Sequence, residues 1–175
     1  MGYPFNKIQP LGDDKSVNTV VEIPKGSMLK IEWNKEDEYF VLDRVEPGIF
    51  AKPVNYGFIP QTLDEDGDEL DTLIVTAEPI PTGVVLQNAK VIGVLLFDDD
   101  GEMDYKIVCV PEDDRHYGEI SSIDDLGEKW KQQIEHHFTH YKDLKKPGST
   151  EVQGFGDVKR AWEIIHECID RVKSQ

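Results

Sequence analysis

The sequence predicts an α+β fold, a small β-barrel core that carries two α-helices in its C-terminal third. Two observations predict it. The first two-thirds of the chain is a series of short β-like runs, at 17–23, 28–33, 39–45, 54–59, 70–77, 89–97 and 103–110, punctuated by Pro and Gly. Many short strands with turn signals between them make a small barrel or a sandwich. Beyond them the hydrophobic period changes. Leu126, Trp130, Ile134, Phe138 and Tyr141 recur at helical spacing, and so do Val158, Ala161, Trp162, Ile165, Cys168, Ile169 and Val172. Asp157, just after Gly156, is placed to cap the second helix. The 175 residues hold no repeat and no low-complexity linker, so the chain reads as one domain, 1–175.

Composition narrows the function. Hydrophobic residues make up 38% and charged residues 31%, which is globular rather than disordered. A formal charge of −16 repels nucleic-acid backbones and anionic membranes and suits a protein that binds cations. No stretch is apolar enough to span a bilayer and no signal-peptide core stands at the start, so a cytoplasmic protein is expected. Met1-Gly2 opens like a myristoylation signal, but position 6 is Asn6 rather than Ser or Thr. Cys109 and Cys168, far apart and each in an apolar setting, read as buried thiols in a reducing compartment.

The first strand carries Glu22 within a run of valines, an odd place for a carboxylate. In the second, Lys30 and Glu32 alternate with Leu29, Ile31 and Trp33, so they project from one face about 7 Å apart. Segment 64–71 reads Asp-Glu-Asp-Gly-Asp-Glu-Leu-Asp. Its carboxylates are hard oxygen ligands for Mg²⁺, Mn²⁺ or Ca²⁺, and Gly67 allows the turn that lets them converge. An EF-hand fails here, because Glu69 stands where the loop glycine belongs and Val75 where the bidentate glutamate belongs. Alone, the segment is equally well a solvated acidic turn. A second acidic group, Asp98-Asp99-Asp100-Gly101-Glu102, reads as a hairpin tip, followed by Asp104 and Lys106 on one face of a strand.

Magnitudes weigh toward a metal site. Two carboxylates about 4 Å apart repel by about 4 kcal/mol at an effective dielectric near 20. Convergence of Asp66, Asp71, Asp99 and Asp104 would therefore need cations or protons. Lys30, Arg44, Lys106 and Lys142 lie in the same motifs, which a calcium module would not need. Carboxylates for metals beside cations for anionic oxygens is the division of labour of phosphoryl transfer. The competing classes are a Ca²⁺-binding structural module and an OB-type oligonucleotide binder; the cations disfavour the first and the net charge the second.

With these residues assembled, the chain resembles the family I soluble inorganic pyrophosphatases of bacterial type. The signature is Asp66-Gly67-Asp68-Glu69-Leu70-Asp71. Around it stand Val21-Glu22-Ile23-Pro24, Lys30-x-Glu32, Leu42-Asp43-Arg44 and Pro53-Val54-Asn55-Tyr56-Gly57-Phe58-Ile59-Pro60. Beyond it come the block from Asp99 to Lys106 and His137-Phe138-Thr139-His140-Tyr141-Lys142-Asp143-Leu144. The resemblance implies a five-stranded OB-like β-barrel flanked by two helices, and Mg²⁺-dependent hydrolysis of pyrophosphate to two phosphates without a phosphoenzyme. It implies several Mg²⁺ per site, with Mn²⁺ or Zn²⁺ able to substitute and Ca²⁺ inhibitory. Asp66, Asp71 and Asp104 would ligate the activating pair, with Asp71 bridging. Asp99 would join Asp104 on further Mg²⁺, while Glu22 and Glu32 order that metal and its waters. Lys30, Arg44, Tyr141 and Lys142 would bind phosphate oxygens. Lys106 would orient the carboxylates and contact phosphate, Tyr56 would hydrogen-bond near the nucleophile and the electrophilic phosphate, and Asp68 would be the general base.

The chain departs from the family pattern at several positions. Lys52 stands where an aromatic residue is usual and receives no role, Glu69 replaces a common Pro, and Phe155 a common Trp. Thr72 replaces a small or aliphatic residue, with little effect expected. His136, His140 and Asp143 fall on the outward side of the first helix, either as a solvated face or, as the resemblance implies, at a subunit contact of a hexamer.

Overall fold

The computed structural model describes residues 4–174; Met1 and Gly2, with their near-match to a myristoylation signal, lie outside the described residues. Strand β1 (Ser16–Ile23) pairs antiparallel with β4 (Asn55–Phe58), which pairs with β5 (Asp71–Ile74). β5 runs parallel to β8 (Lys106–Pro111), and β8 pairs with the long β6 (Val85–Asp99). β6 returns to β1 and closes the five-stranded barrel. The expected barrel is therefore present. Strands β2 (Leu29–Asn34) and β3 (Tyr39–Val45) form a separate two-stranded hairpin.

Alternation along the strands gives two large apolar clusters, beside a smaller third one of Phe5, Val20, Trp33 and Phe58. On one face Ile74, Val94, Ile107 and Cys109 pack with Ala161, Ile164, Ile165 and Cys168 of helix α2 (Val158–Lys173). On the other, Leu73, Ile92, Leu95 and Val108 pack with Ile134 and Phe138 of helix α1 (Glu128–His140). Asp157 caps α2 as expected, accepting the Arg160 N–H at 2.8 Å. Helix α1 begins later than its periodicity suggested, because Leu126 lies in a preceding 3-10 turn. Both cysteines are buried and unpaired.

Two features differ from the sequence expectation. Strand β9 (Thr150–Gly156) pairs with β6 and was not anticipated. The run 103–110 is not one strand. A two-residue β7 (Glu102–Met103) ends before Asp104, and β8 starts at Lys106. In the gap the Asp104 N–H donates to the Phe97 carbonyl at 2.9 Å and the Tyr105 N–H to the buried Asp64 carboxylate at 3.1 Å. A side chain thus replaces the ladder there.

The barrel also corrects the expectation that Thr72 matters little. Thr72 and Thr19 are fully buried, with hydroxyls 2.6 Å apart. Thr19 donates its hydrogen to the Phe58 carbonyl, so Thr72 must donate to Thr19. Thr19→Val therefore strands a buried donor and should cost about 1–3 kcal/mol. Thr72→Val removes one acceptor contact and should cost about 1 kcal/mol. The double variant should cost less than the sum of the two. Denaturant midpoints test the order; equal losses for the two single variants would refute the assigned donor.

Candidate active site

A cleft of about 440 Å³ opens where the β2–β3 hairpin faces the barrel and the end of α1. Its walls come from distant parts of the sequence. The hairpin register sets Lys30 opposite Arg44, two like charges side by side that fold stability alone would not favour. Lys30 is held by Glu32 and lies 3.6 Å from Asp43; Arg44 is held by Glu46 and by Asp43 at 2.6 Å. Lys142, just past α1, is paired with Asp99 at the end of β6.

The acidic turn forms the opposite wall. Gly67 takes φ +92°, a conformation that L side chains rarely adopt, and Asp64 N–H closes the turn onto the Asp68 carbonyl at 2.7 Å. The Asp68 N–H donates to Asp66 Oδ1 at 3.0 Å. Among the described residues the Asp68 carboxylate has no hydrogen-bond or ion-pair partner, whereas Asp66, Asp71, Asp99 and Asp104 each have one. Asp64 is not part of the cleft. It is buried, meets Arg171 at 3.6 Å, and burial pushes its carboxyl up to about 6.

Beneath the carboxylates lies Lys106, 1% exposed. Its ammonium is 2.8 Å from Asp71, 2.8 Å from Asp104 and 3.1 Å from the Tyr56 hydroxyl, which accounts for its three donors. Desolvation opposes its charge, but Asp104 and Asp71 together raise its pKa. The Tyr56 hydroxyl donates to Asp71, and burial followed by the Asp71 charge raises its pKa well above the ordinary value. Burial also raises the carboxyls of Asp66 and Asp104, and raises Glu22 strongly. Glu22 lies at the cleft floor and accepts the Trp33 N–H at 2.7 Å.

Of the residues singled out in the sequence, Glu22, Lys30, Glu32, Arg44, Tyr56, Asp66, Asp68, Asp71, Asp99, Asp104, Tyr141 and Lys142 all line this cleft. Lys106 is not among the lining residues; it lies just beneath, against Asp71 and Asp104. The carboxylates share the cleft without clustering; among the described residues no three acidic or other donor side chains are close enough together to hold an ion as they stand. Lys106 fills the space between two of them.

Other lining residues carried no assignment in the sequence: Lys52, Glu69, Asp100, Lys145, Lys146 and Ser149. The lysine pair after the Tyr141-Lys142 block was a signal available for two of them. Asn55, from the same block as Tyr56, proves structural. It is fully buried, accepts from Lys25 and Ile80 N–H groups at 2.9 and 2.7 Å, and donates to Thr76 at 2.7 Å. Gly57 beside it is required by packing, because a Cβ there would lie 2.0 Å from the Val20 carbonyl oxygen.

On α1, Ile134 and Phe138 face the core as expected and His136 faces solvent. The His136 and His140 rings lie 4.6 Å apart, and His140 Nδ1 meets Asp143 at 2.8 Å. His137 is buried, stacked on Tyr141, and desolvation lowers its pKa to about 3.

Known proteins are similar to this chain in sequence and in fold. A family profile described as inorganic pyrophosphatase matches residues 19–173. The inorganic pyrophosphatase of Haemophilus influenzae is 60% identical over 170 residues, covering 95% of this chain and 96% of that one. The protein of that name from Neisseria meningitidis serogroup A is 58% identical over 174 residues, 98% of each. Among solved structures, an inorganic pyrophosphatase from Neisseria gonorrhoeae superposes with a TM-score of 0.92 at 56% identity, covering 97% of this chain and 99% of that one. The Thermus thermophilus inorganic pyrophosphatase superposes with a TM-score of 0.87 at 40% identity, covering 95% and 98%. With the profile spanning nearly the whole barrel and both helices, the chain belongs to the inorganic pyrophosphatase family.

Proposed function

We propose that this protein hydrolyses inorganic pyrophosphate to two phosphates with Mg²⁺, by direct attack of water and without a phosphoenzyme. The observation that supports it best is that one cleft gathers the carboxylates Asp66, Asp68, Asp71, Asp99 and Asp104 together with the cations Lys30, Arg44 and Lys142. The donor set fits Mg²⁺: hard carboxylate oxygens, of which Asp66 and Asp104 are held above their usual pKa by burial and so favour an added cation. Asp66, Asp71 and Asp104 would hold the activating ions. Asp99 would serve those that arrive with substrate, and Glu22 and Glu32 would order the surrounding water. When bound, Mg²⁺ supplies neutralisation of phosphate oxygens and acidification of water.

The chain's own groups do the rest. Lys30, Arg44, Tyr141 and Lys142 position the substrate's oxygens. Water attacks one phosphorus in line, its proton passes to Asp68, and the bridging P–O bond breaks so that its oxygen departs on the second phosphate. Lys30, Arg44 and Lys142 meet the charge on that departing group. Tyr56, anchored by Asp71 and Lys106, holds the carboxylate beside the reacting centre.

Phosphate release from pyrophosphate should require Mg²⁺, proceed with Mn²⁺ or Zn²⁺ in its place, and be inhibited by Ca²⁺, whose looser coordination misplaces the oxygens. No phosphate release with any divalent metal would overturn the reading.

Assembly and location belong to the same proposal. The exposed His136, with His140 and Asp143 beside it, supports a histidine-bearing contact in a homohexamer; a stable monomer by light scattering at neutral pH would refute it. Two buried, unpaired thiols favour the cytoplasm, and among the described residues no helix is long and apolar enough to cross a membrane.

A further inference from the structure

Lys52 lines the cleft at a position where it departs from the family pattern. Its backbone is fixed on both sides: its N–H donates to the Ser27 carbonyl at 3.0 Å and its carbonyl accepts from Gly26 at 2.8 Å. Pro53 holds it extended. The half-buried side chain therefore points one way, into the cleft. There the ammonium lies 4.6 Å from the Tyr56 ring centre, 5.0 Å from Tyr141 and 5.6 Å from Phe138.

This cation differs from the others around it. Lys30, Arg44, Lys106 and Lys142 are each paired with a carboxylate. Among the described residues Lys52 has no hydrogen-bond or ion-pair partner for its ammonium, and Lys145, also unpaired, stands exposed at the rim. Ring faces attract a cation only weakly and do not replace its lost water. Burial accordingly lowers its pKa to about 7, the Lys106 charge lowering it further and Asp71 opposing. A half-buried ammonium that protein groups leave unsatisfied, in a cleft built for an anion, lacks an anionic oxygen.

We propose that Lys52 is a further substrate-binding residue, whose ammonium takes a phosphate oxygen of pyrophosphate, or of product phosphate, between Tyr56 and Tyr141. The proposal rests on the pyrophosphatase reading and adds to it a contact where the family pattern carries an aromatic side chain. An aromatic ring there can pack against Tyr56 and Tyr141 but offers no positive charge to the ligand.

The test compares the parent with Lys52→Met and Lys52→Arg, each with Mg²⁺, measuring KM for pyrophosphate, kcat, and inhibition by inorganic phosphate. Lys52→Met keeps the length and apolar stem. It should raise KM and the phosphate inhibition constant about tenfold, while kcat changes by less than about threefold. Lys52→Arg should restore both constants to near the parent's values. A Lys52→Met protein with the parent's KM and phosphate inhibition overturns the proposal while the parent's turnover leaves the function intact. A parent that releases no phosphate overturns both. If the variants fold poorly, the parent decides. Acylation of Lys52 by an amine-reactive reagent, followed by mass spectrometry, should be suppressed by saturating phosphate with Mg²⁺; undiminished acylation overturns the proposal.

Discussion

Asp68→Asn is expected to lower turnover by about 10²–10⁴-fold, the usual contribution of a positioned general base, while leaving Mg²⁺ binding close to the parent's. The expectation follows from how the acidic turn is built. Its backbone is closed by the Asp64 N–H on the Asp68 carbonyl and by the Asp68 N–H on Asp66, contacts that Asn keeps. The Asp68 carboxylate itself lines the cleft and has no partner among the described residues. It is therefore a carboxylate that can take a proton without first giving up a lysine or a tyrosine. Calorimetric Mg²⁺ titration and steady-state phosphate release measure the two halves separately. Parent-like turnover would show that another group accepts the proton. Loss of metal binding in step with turnover would make Asp68 a ligand instead.

Lys106→Met should have the largest effect on stability. Lys106 is the buried counter-charge of Asp71 and Asp104, and removing one partner of such a network costs about 3–5 kcal/mol because the other charges stay behind. For a chain of this size each kcal/mol moves the melting temperature by about 2–4 °C. The loss should be greatest in chelator. It should shrink with Mg²⁺, because a bound divalent cation neutralises the same two carboxylates and binds only the folded state. Adding Asp104→Asn to Lys106→Met should recover part of the loss, since the stranded charge is gone. Thermal melts of the parent, the single and the double variant, each with and without Mg²⁺, check this. A melting temperature unchanged by Lys106→Met would show that the carboxylates do not need the lysine.

The two variants separate two things that one acidic motif suggested. Asp66, Asp68 and Asp71 stand within six residues and read alike in the sequence, yet their surroundings differ. Asp71 shares Lys106 and Tyr56, Asp66 holds a backbone N–H, and among the described residues the Asp68 carboxylate holds nothing. Asp64, from the same run, turns inward and ties down the chain at Tyr105. The difference is one of burial and partners, which depend on residues up to 41 positions away in the sequence.

The legible parts were those written in local patterns. The helical periods of α1 and α2, the Asp157 cap and the strand runs other than 103–110 depend on side chains close in sequence, and the structure reproduces them apart from shifted ends. Strand β9 was not legible, because its burial is partial and irregular and glycines interrupt it; it is a strand only because the long β6 offers an edge. The break at Asp104 was hidden for the same kind of reason, since the group that replaces the ladder is Asp64.

By itself the sequence determined the family, the barrel with two helices, and the inventory of carboxylates and cations that chemistry on a pyrophosphate would need. Only the tertiary structure decided which of those charges are paired. It placed Lys106 beneath the floor rather than in the cleft, drew Lys52 in among Tyr56, Tyr141 and Phe138, and made Thr72 a hydrogen-bond donor. The physical reason is that periodicity records which side of an element a residue occupies, whereas the state of a buried charge or hydroxyl is set by whichever partner the folded chain brings within about 3 Å of it.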